Sequence, residues 1–298
     1  MNRGMDKTKG PNSHILVFFL AAFFILFSGL LFPKDLKENA LQQPVEARLV
    51  AEVESIKPGT QFCVAVWLRM EEGWHTYWKN PGDSGLPTSI EWDLPEGFVA
   101  GDIQWPYPHR FETSGLISFG YEGEVLLLIH LKAPVALKSG MLVRLSAGVD
   151  WLACKEECVP GHADLSVELP VREQEPKTDG RWKEHFARTQ KNLPKLLQQW
   201  KMSAALDEEK IVIQVFPSFP FHQRMTDIVF FPEQEELTEY SEPQNVRNFK
   251  RGYMVEVKRS KIAVKLPNRL KGVLYSPEGW DRMGEVSALR VDVPLHRF

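Results

Sequence analysis

Cysteine is scarce in this chain. Three occur in 298 residues: Cys63, Cys154 and Cys158. So few exclude a disulfide-dense miniature scaffold and make any single pair more informative. Charge of one sign is also lacking. Lys and Arg number 36, Asp and Glu 39, and the net charge is -3. With no long basic tract and no nucleic-acid motif, nucleic acid is not an expected partner. G-x-S-x-G, H-E-x-x-H, P-loop and dinucleotide signatures are all missing, which leaves no motif-based case for a hydrolase or a nucleotide enzyme. No second close cysteine pair accompanies Cys154 and Cys158, although His162 is nearby. Structural zinc commonly takes its Cys and His ligands as two close pairs, so neither a metal nor any other cofactor is expected.

What is present begins with an apolar run. Arg3, Lys7 and Lys9 precede "ILVFFLAAFFILFSGLLF", the 18 residues from Ile15 to Phe32. The run is longer than a usual signal-peptide core and near the lower limit for crossing a bilayer. No small-x-small cleavage site follows it. The nearest candidate, "ENA" at 38–40, has Glu38 where a small residue is wanted. Residues 1–33 therefore read as a membrane anchor, with a cleaved signal as the alternative. Either places the remainder outside the cytoplasm, where disulfides persist. No lipobox cysteine is present. The polar residues 34–46 read as a tether.

From Ala47 the pattern is β. In "QFCVAVWLRM", Phe62, Val64, Val66 and Leu68 alternate with Cys63, Ala65 and Trp67, the period of a strand with two faces. Further strand patterns follow in "SIEWDLP", "FVAGDIQWP", "EVLLLIHLKAP", "MLVRLSAGVDWLAC" and "ADLSVELP", separated by Gly- and Pro-rich turns. About seven short strands without helical period predict an immunoglobulin-like antiparallel sandwich over residues 47–172. Residues 173–205 then read as a connecting helix. Trp182, Phe186, Thr189 and Leu193 recur at helical spacing, Asp179 is the candidate N-cap, and "KLLQQW" after Pro194 is able to add another turn. Strand patterns return in 206–298, a second and smaller β domain without cysteine. The fold class is thus mainly β.

The chemistry centres on "DWLACKEECVPGHADLSVELP", where Cys154 and Cys158 enclose three residues. A metal corner is disfavoured. A structural staple and a redox pair both stay open. A loop this short restricts the unfolded chain only modestly, which makes it a poor staple and a plausible switch. Lys155 favours a thiolate, while Glu156 and Glu157 oppose it. Cys63, mid-strand, reads as a small buried hydrophobe. Two aromatic stretches stand out. In "EGWHTYWKNPGDSGLP", Trp74, His75 and Tyr77 suggest one wall beside the cysteines. In "WPYPHRFETSGLISFGYEGEV", Phe111, Phe119 and Tyr121 sit among Gly115, Gly120 and Gly123. That stretch reads as a mobile loop able to cover the sulfurs from the opposite side.

Three segments in order, "GWHTYWKNPGDSGLPTSIEW", "IQWPYPHRFETSGLISFGYEGEVLLLIHL" and "WLACKEECVPGHADLSVELP", resemble the N-terminal periplasmic module of the thiol:disulfide interchange protein DsbD. The pair spaced Cys-x-x-x-Cys and followed by Val-Pro resembles the subgroup typified by the copper-tolerance protein ScsB more closely. The resemblance implies an immunoglobulin-like module whose cysteines, here Cys154 and Cys158, shuttle between dithiol and disulfide. Trp74, His75 and Tyr77 match its aromatic flank, and the Phe111 to Tyr121 region falls where its protective cap lies, without the cap's own motif. It implies a periplasmic location, with residues 15–32 in the inner membrane. It also implies electron transfer from a membrane reductase or thioredoxin-like donor to oxidised periplasmic proteins, as a possible protein-disulfide reductase component. Cys158 is the cysteine expected to meet the partner. The family's multi-helix membrane domain and Cys-x-x-Cys domain are not seen before Phe298, so a separate donor is expected. The competing expectation is a non-catalytic interaction module with a structural disulfide.

Overall fold

A computed structural model of the chain describes residues 43–221, 224–263 and 266–297. The expected anchor at 15–32 and most of the expected tether lie outside them. Among the described residues no helix is long and apolar enough to cross a membrane.

The elements run in chain order as β1 (Val45–Ala51), β2 (Gln61–Met70), β3 (His75–Gly82), β4 (Ser89–Asp93), β5 (Val99–Ala100), β6 (His109–Thr113), β7 (Leu116–Glu122), β8 (Glu124–Lys132), β9 (Leu142–Cys154) and β10 (Cys158–Pro170). Helix α1 (Lys183–Asn192) follows. The last strands are β11 (Trp200–Leu206), β12 (Lys210–Pro217), β13 (Val229–Pro232), β14 (Asn245–Phe249), β15 (Gly252–Lys258), β16 (Arg269–Tyr275) and β17 (Ala288–Arg297).

Two sheets form the immunoglobulin-like sandwich. One is four-stranded in the order β1-β2-β8-β5; the other is six-stranded, β10-β9-β3-β7-β6, with β4 also paired to β9. All their pairings are antiparallel. The core between them follows the period-two pattern. Phe62, Val64, Val66 and Leu68 of β2 meet Leu145, Ala147, Val149, Trp151 and Ala153 of β9 there. The other face of β2 is buried too. Cys63, Ala65 and Trp67 pack with Leu126, Leu128 and Phe186 of α1, so the helix covers what is otherwise the outside of the sandwich.

Helix α1 is shorter than expected. Trp182 is its N-cap residue and has no side-chain cap. Asp179 instead accepts from the Arg181 amide at 2.9 Å, while its carbonyl accepts from Trp182 and Lys183. The helix stops at Leu193, which is extended because the following Pro194 disfavours a helical residue before it. "KLLQQW" adds no turn, and Trp200 already opens β11, ahead of the expected start at 206.

The second β domain is a seven-stranded sheet, β13-β16-β17-β11-β12-β15-β14, parallel only between β11 and β17. Its own core includes Trp200, Ile213, Phe230, Val255, Trp280 and Val291. Phe231, Val273 and Ala288 turn the other way and join the sandwich core.

Candidate redox site

The site grows from the end of one hairpin. Strands β9 and β10 pair without interruption from Pro170 opposite Leu142 to Cys158 opposite Cys154. Gly161 lies opposite Trp151, and a β-carbon at 161 would overlap the indole, so glycine lets the strands close over this large ring. At the hairpin's end Cys154 and Cys158 form a disulfide with their Cα atoms 4.1 Å apart. This is near the spacing of a cross-strand pair without hydrogen bonds between its members, about 4.5 Å. The Lys155 amide donates to the Glu157 carbonyl at 3.1 Å. The Lys155 Nζ donates to the Glu72 carbonyl at 3.2 Å, fastening the loop to the turn before β3.

The two sulfurs are unequal. Cys154 follows inward-facing Ala153, yet it is only 4% exposed, because β3 runs alongside. Cys158 is exposed.

Register decides which side chains join them. Opposite residues of neighbouring strands share a face. His75 lies opposite Cys154 on one side and opposite Glu122 on the other. Tyr77, two residues on, shares that face and lies opposite Gly120. Phe111 of β6 lies opposite Ser118, again on the same face. The His75 ring stacks on Phe111 at 4.8 Å and 12°, and meets Tyr77 edge-on at 5.2 Å. The Tyr77 hydroxyl is 3.9 Å from the Cys158 Sγ. A β-carbon at Gly85, where φ is +115°, would overlap the Tyr77 ring, so Gly85 forms the ring's seat.

Burial sets the titration of this wall. It pulls the His75 imidazole below the ordinary histidine value, against an opposing pull from Glu122. It pushes the Tyr77 phenol up, against a hydrogen bond to Ser118. The His75 Nε2 is buried without a hydrogen-bond partner among the described residues. On the outer end of the hairpin His162 Nδ1 lies 2.8 Å from the Asp150 carboxylate, which raises its pKa. No group of three or more His, Cys, Asp or Glu is placed to hold a metal among the described residues.

The aromatic residues singled out in the sequence therefore divide. His75 and Tyr77 lie beside the pair, and Phe111 reaches His75. Phe119 and Tyr121 face the sandwich core. Phe119 meets Phe231 and Tyr240 edge-on, at 5.3 and 5.1 Å, and Tyr121 donates to the Pro106 carbonyl at 2.8 Å. Trp74 packs against that core as well. The cause is the strand period, which puts 111 and 118 on one face and 119 and 121 on the other.

The expected mobile loop is a β-hairpin instead. Strands β6 and β7 pair from His109 opposite Gly120 to Thr113 opposite Leu116. The two turn residues, Ser114 and Gly115, both have positive φ, the conformation that two-residue hairpins favour. Gly120 is no hinge, since a β-carbon there would overlap the Thr76 carbonyl. Sequence reasoning passed over Ser118, Glu122 and Gly85, although alternate positions of the same two stretches would have pointed to the first two.

Residues 41–170 match the family described as "Thiol:disulfide interchange protein DsbD, N-terminal". No curated protein sequence matches the chain significantly. Among solved structures, the N-terminal periplasmic domain of ScsB from Proteus mirabilis aligns at 16% identity, with 87% of this chain and 96% of that chain covered and a TM-score of 0.62. The fold is thus shared across both β domains. A protein of unknown function from Porphyromonas gingivalis W83 aligns at 11% identity, covering 85% of this chain and 99% of that chain, with a TM-score of 0.25, too loosely to bear on the fold. With the family match, the sandwich and the Cys154–Cys158 bond together, residues 41–170 constitute a DsbD-like N-terminal domain.

Proposed function

We propose that this chain is an extracytoplasmic thiol–disulfide exchange module whose working pair is Cys154 and Cys158. The observation that carries the reading is the asymmetry of the pair, an exposed residue Cys158 bonded to a buried Cys154. In the dithiol form the Cys158 thiolate attacks a partner disulfide. One partner sulfur becomes bonded to Cys158 and the other leaves as a thiolate. The Cys154 thiolate then attacks the Cys158 Sγ, the mixed disulfide breaks, and the second partner sulfur leaves. Two electrons have passed to the partner, and the Cys154–Cys158 bond is restored. A donor dithiol reduces it again by the reverse sequence.

The partners that suit this chemistry are a membrane reductase or thioredoxin-like donor and oxidised periplasmic proteins as acceptors. The apolar run at 15–32 then tethers the module to the inner membrane. Phe111, stacked over His75, is the capping residue, with His75 and Tyr77 as the wall behind the pair.

Cys154→Ser is expected to hold an oxidised partner on Cys158 as a stable mixed disulfide, whereas Cys158→Ser holds none. Equilibration with glutathione buffers is expected to give a potential near or above about -270 mV. Capture by neither variant, together with a potential below about -300 mV, would instead mean a structural disulfide in a non-catalytic interaction module.

A further inference from the structure

We propose that His75 is the proton acceptor for Cys154: its Nε2 takes the thiol proton of the reduced site and so prepares the buried sulfur to resolve the mixed disulfide. The inference rests on the exchange role above and assigns the step that role leaves without a base.

The need arises from burial. Only a thiolate attacks a disulfide, and removal from water disfavours the thiolate. The third cysteine shows the direction of this effect within the same protein, there with Glu52 adding to it. Cys63 is 2% exposed, and burial pushes its thiol up to about 12. Cys154, 4% exposed, is comparably shut away. Burial there therefore works against the thiolate that resolution requires.

The placement of His75 answers the need. It lies directly opposite Cys154 on the adjacent strand, on the same face, and is 7% exposed. Its ring is held by the Phe111 stack and the Tyr77 edge. Its Nε2 has no partner among the described residues while the disulfide is closed. A disulfide has no proton to donate; reduction adds a thiol donor on the residue directly opposite His75. The other ionisable groups facing His75 do not replace it. Tyr77, on the same strand, is kept protonated by burial. Glu122, opposite on β7, is exposed. Lys155, beyond the end of β9, is bonded to the Glu72 carbonyl and carries no free acceptor. Burial also favours a neutral imidazole, the form able to accept.

The step balances simply. The proton passes from Cys154 Sγ to His75 Nε2. The Cys154 sulfur forms its bond to Cys158 Sγ as the bond from Cys158 to the partner breaks. The partner sulfur leaves with the electron pair and is protonated from solvent or by the imidazolium. In the reverse direction, attack of a donor thiolate on Cys158 expels Cys154, which recovers its proton from the imidazolium.

The test is stopped-flow resolution of a mixed disulfide formed between the reduced full chain and oxidised glutathione, followed as release of the second glutathione from about pH 5 to about pH 9. His75→Gln is expected to slow resolution about a hundredfold at neutral pH, and to recover as rising pH ionises Cys154 unaided. A merely structural role slows the step at every pH. Resolution by the variant at the wild-type rate throughout overturns the proposal. Should the variant fail to fold, the His75 ring is titrated by NMR in wild-type protein. Its pKa is expected to differ between oxidised and reduced forms, and an identical value in both is equally fatal. Failure of wild-type protein to form any mixed disulfide would remove the exchange role itself, whereas normal exchange without dependence on His75 removes this inference alone.

Discussion

Phe111 and Phe119 lie on neighbouring strands and face opposite ways, so the same truncation has opposite meanings at each. Phe111 is half-buried over His75. Phe111→Ala is expected to speed alkylation of the reduced pair while leaving the fold intact. Phe119 is 3% exposed in the core, and Phe119→Ala is expected to cost about 3–5 kcal/mol without uncovering the sulfurs. Alkylation kinetics beside urea denaturation separate the two. His75 adds a pH signature. Its folded pKa lies below the ordinary value because burial disfavours the charged ring. As pH falls below about 6.5, the unfolded chain binds this proton before the folded one does, so stability declines with acid over that window. His162 acts in the opposite sense: Asp150 raises its pKa, and its contribution, present at low pH, is lost as pH rises through the folded value. His75→Phe is therefore expected to flatten the fall in urea midpoint from about pH 6.5 to about pH 5. An unchanged slope would contradict the burial argument.

At the scale of elements, the β9–β10 hairpin does not depend on its disulfide. Its register runs without interruption from Cys154 opposite Cys158 to Leu142 opposite Pro170, and the loop closed by the bond is short. Chain entropy gives such a loop at most about 2 kcal/mol. Thermal unfolding with and without a reductant is expected to differ by only a few degrees; a collapse of the fold on reduction would argue for a structural staple. The two strands of this hairpin were legible in "MLVRLSAGVDWLAC" and "ADLSVELP", which alternate; that the second begins already at Cys158 and runs through Val159, Pro160 and Gly161 was not. Nor was the β6–β7 hairpin. Its glycines suggested a loop because a sequence does not distinguish a glycine needed for flexibility from one needed for close approach, and Gly120 is of the second kind. In strand β3 Asn80, Pro81 and Gly82 have the composition of a turn, yet they continue the strand through a bulge.

Across the whole described molecule, strand β3 of the sandwich touches both the redox site and the second β domain. Past Tyr77, the fully buried Asn80 donates through Nδ2 to the Pro232 carbonyl at 2.8 Å and to the Gln234 carbonyl at 3.3 Å. Its Oδ1 accepts from the Gly82 amide at 3.1 Å. Lys79 adds an ion pair to Glu233 at 3.1 Å, and Tyr107 packs on Tyr275 at 4.7 Å. Asn80→Ala leaves buried carbonyls unpaired and is expected to destabilise by about 1–3 kcal/mol. The shared core through Phe231, Val273 and Ala288 further predicts that both domains unfold together. Urea transitions of wild-type and Asn80→Ala protein, read by tryptophan fluorescence and by circular dichroism, check both points; two separate wild-type transitions would rule out the coupling.

The sequence by itself determined the sandwich, the faces of β2 and the identity of the cysteine pair, because these follow from local alternation and from how few thiols there are. It could not determine which aromatics reach the sulfurs. That depends on the register of β3 against β7 and β9, a relation between residues far apart in the chain that local pattern does not encode. A shift of one residue reverses every side chain's face. Tertiary structure alone therefore put His75 opposite Cys154, Tyr77 next to Cys158 and Phe111 on His75, sent Phe119 and Tyr121 into the core, and buried Cys154 while leaving Cys158 exposed.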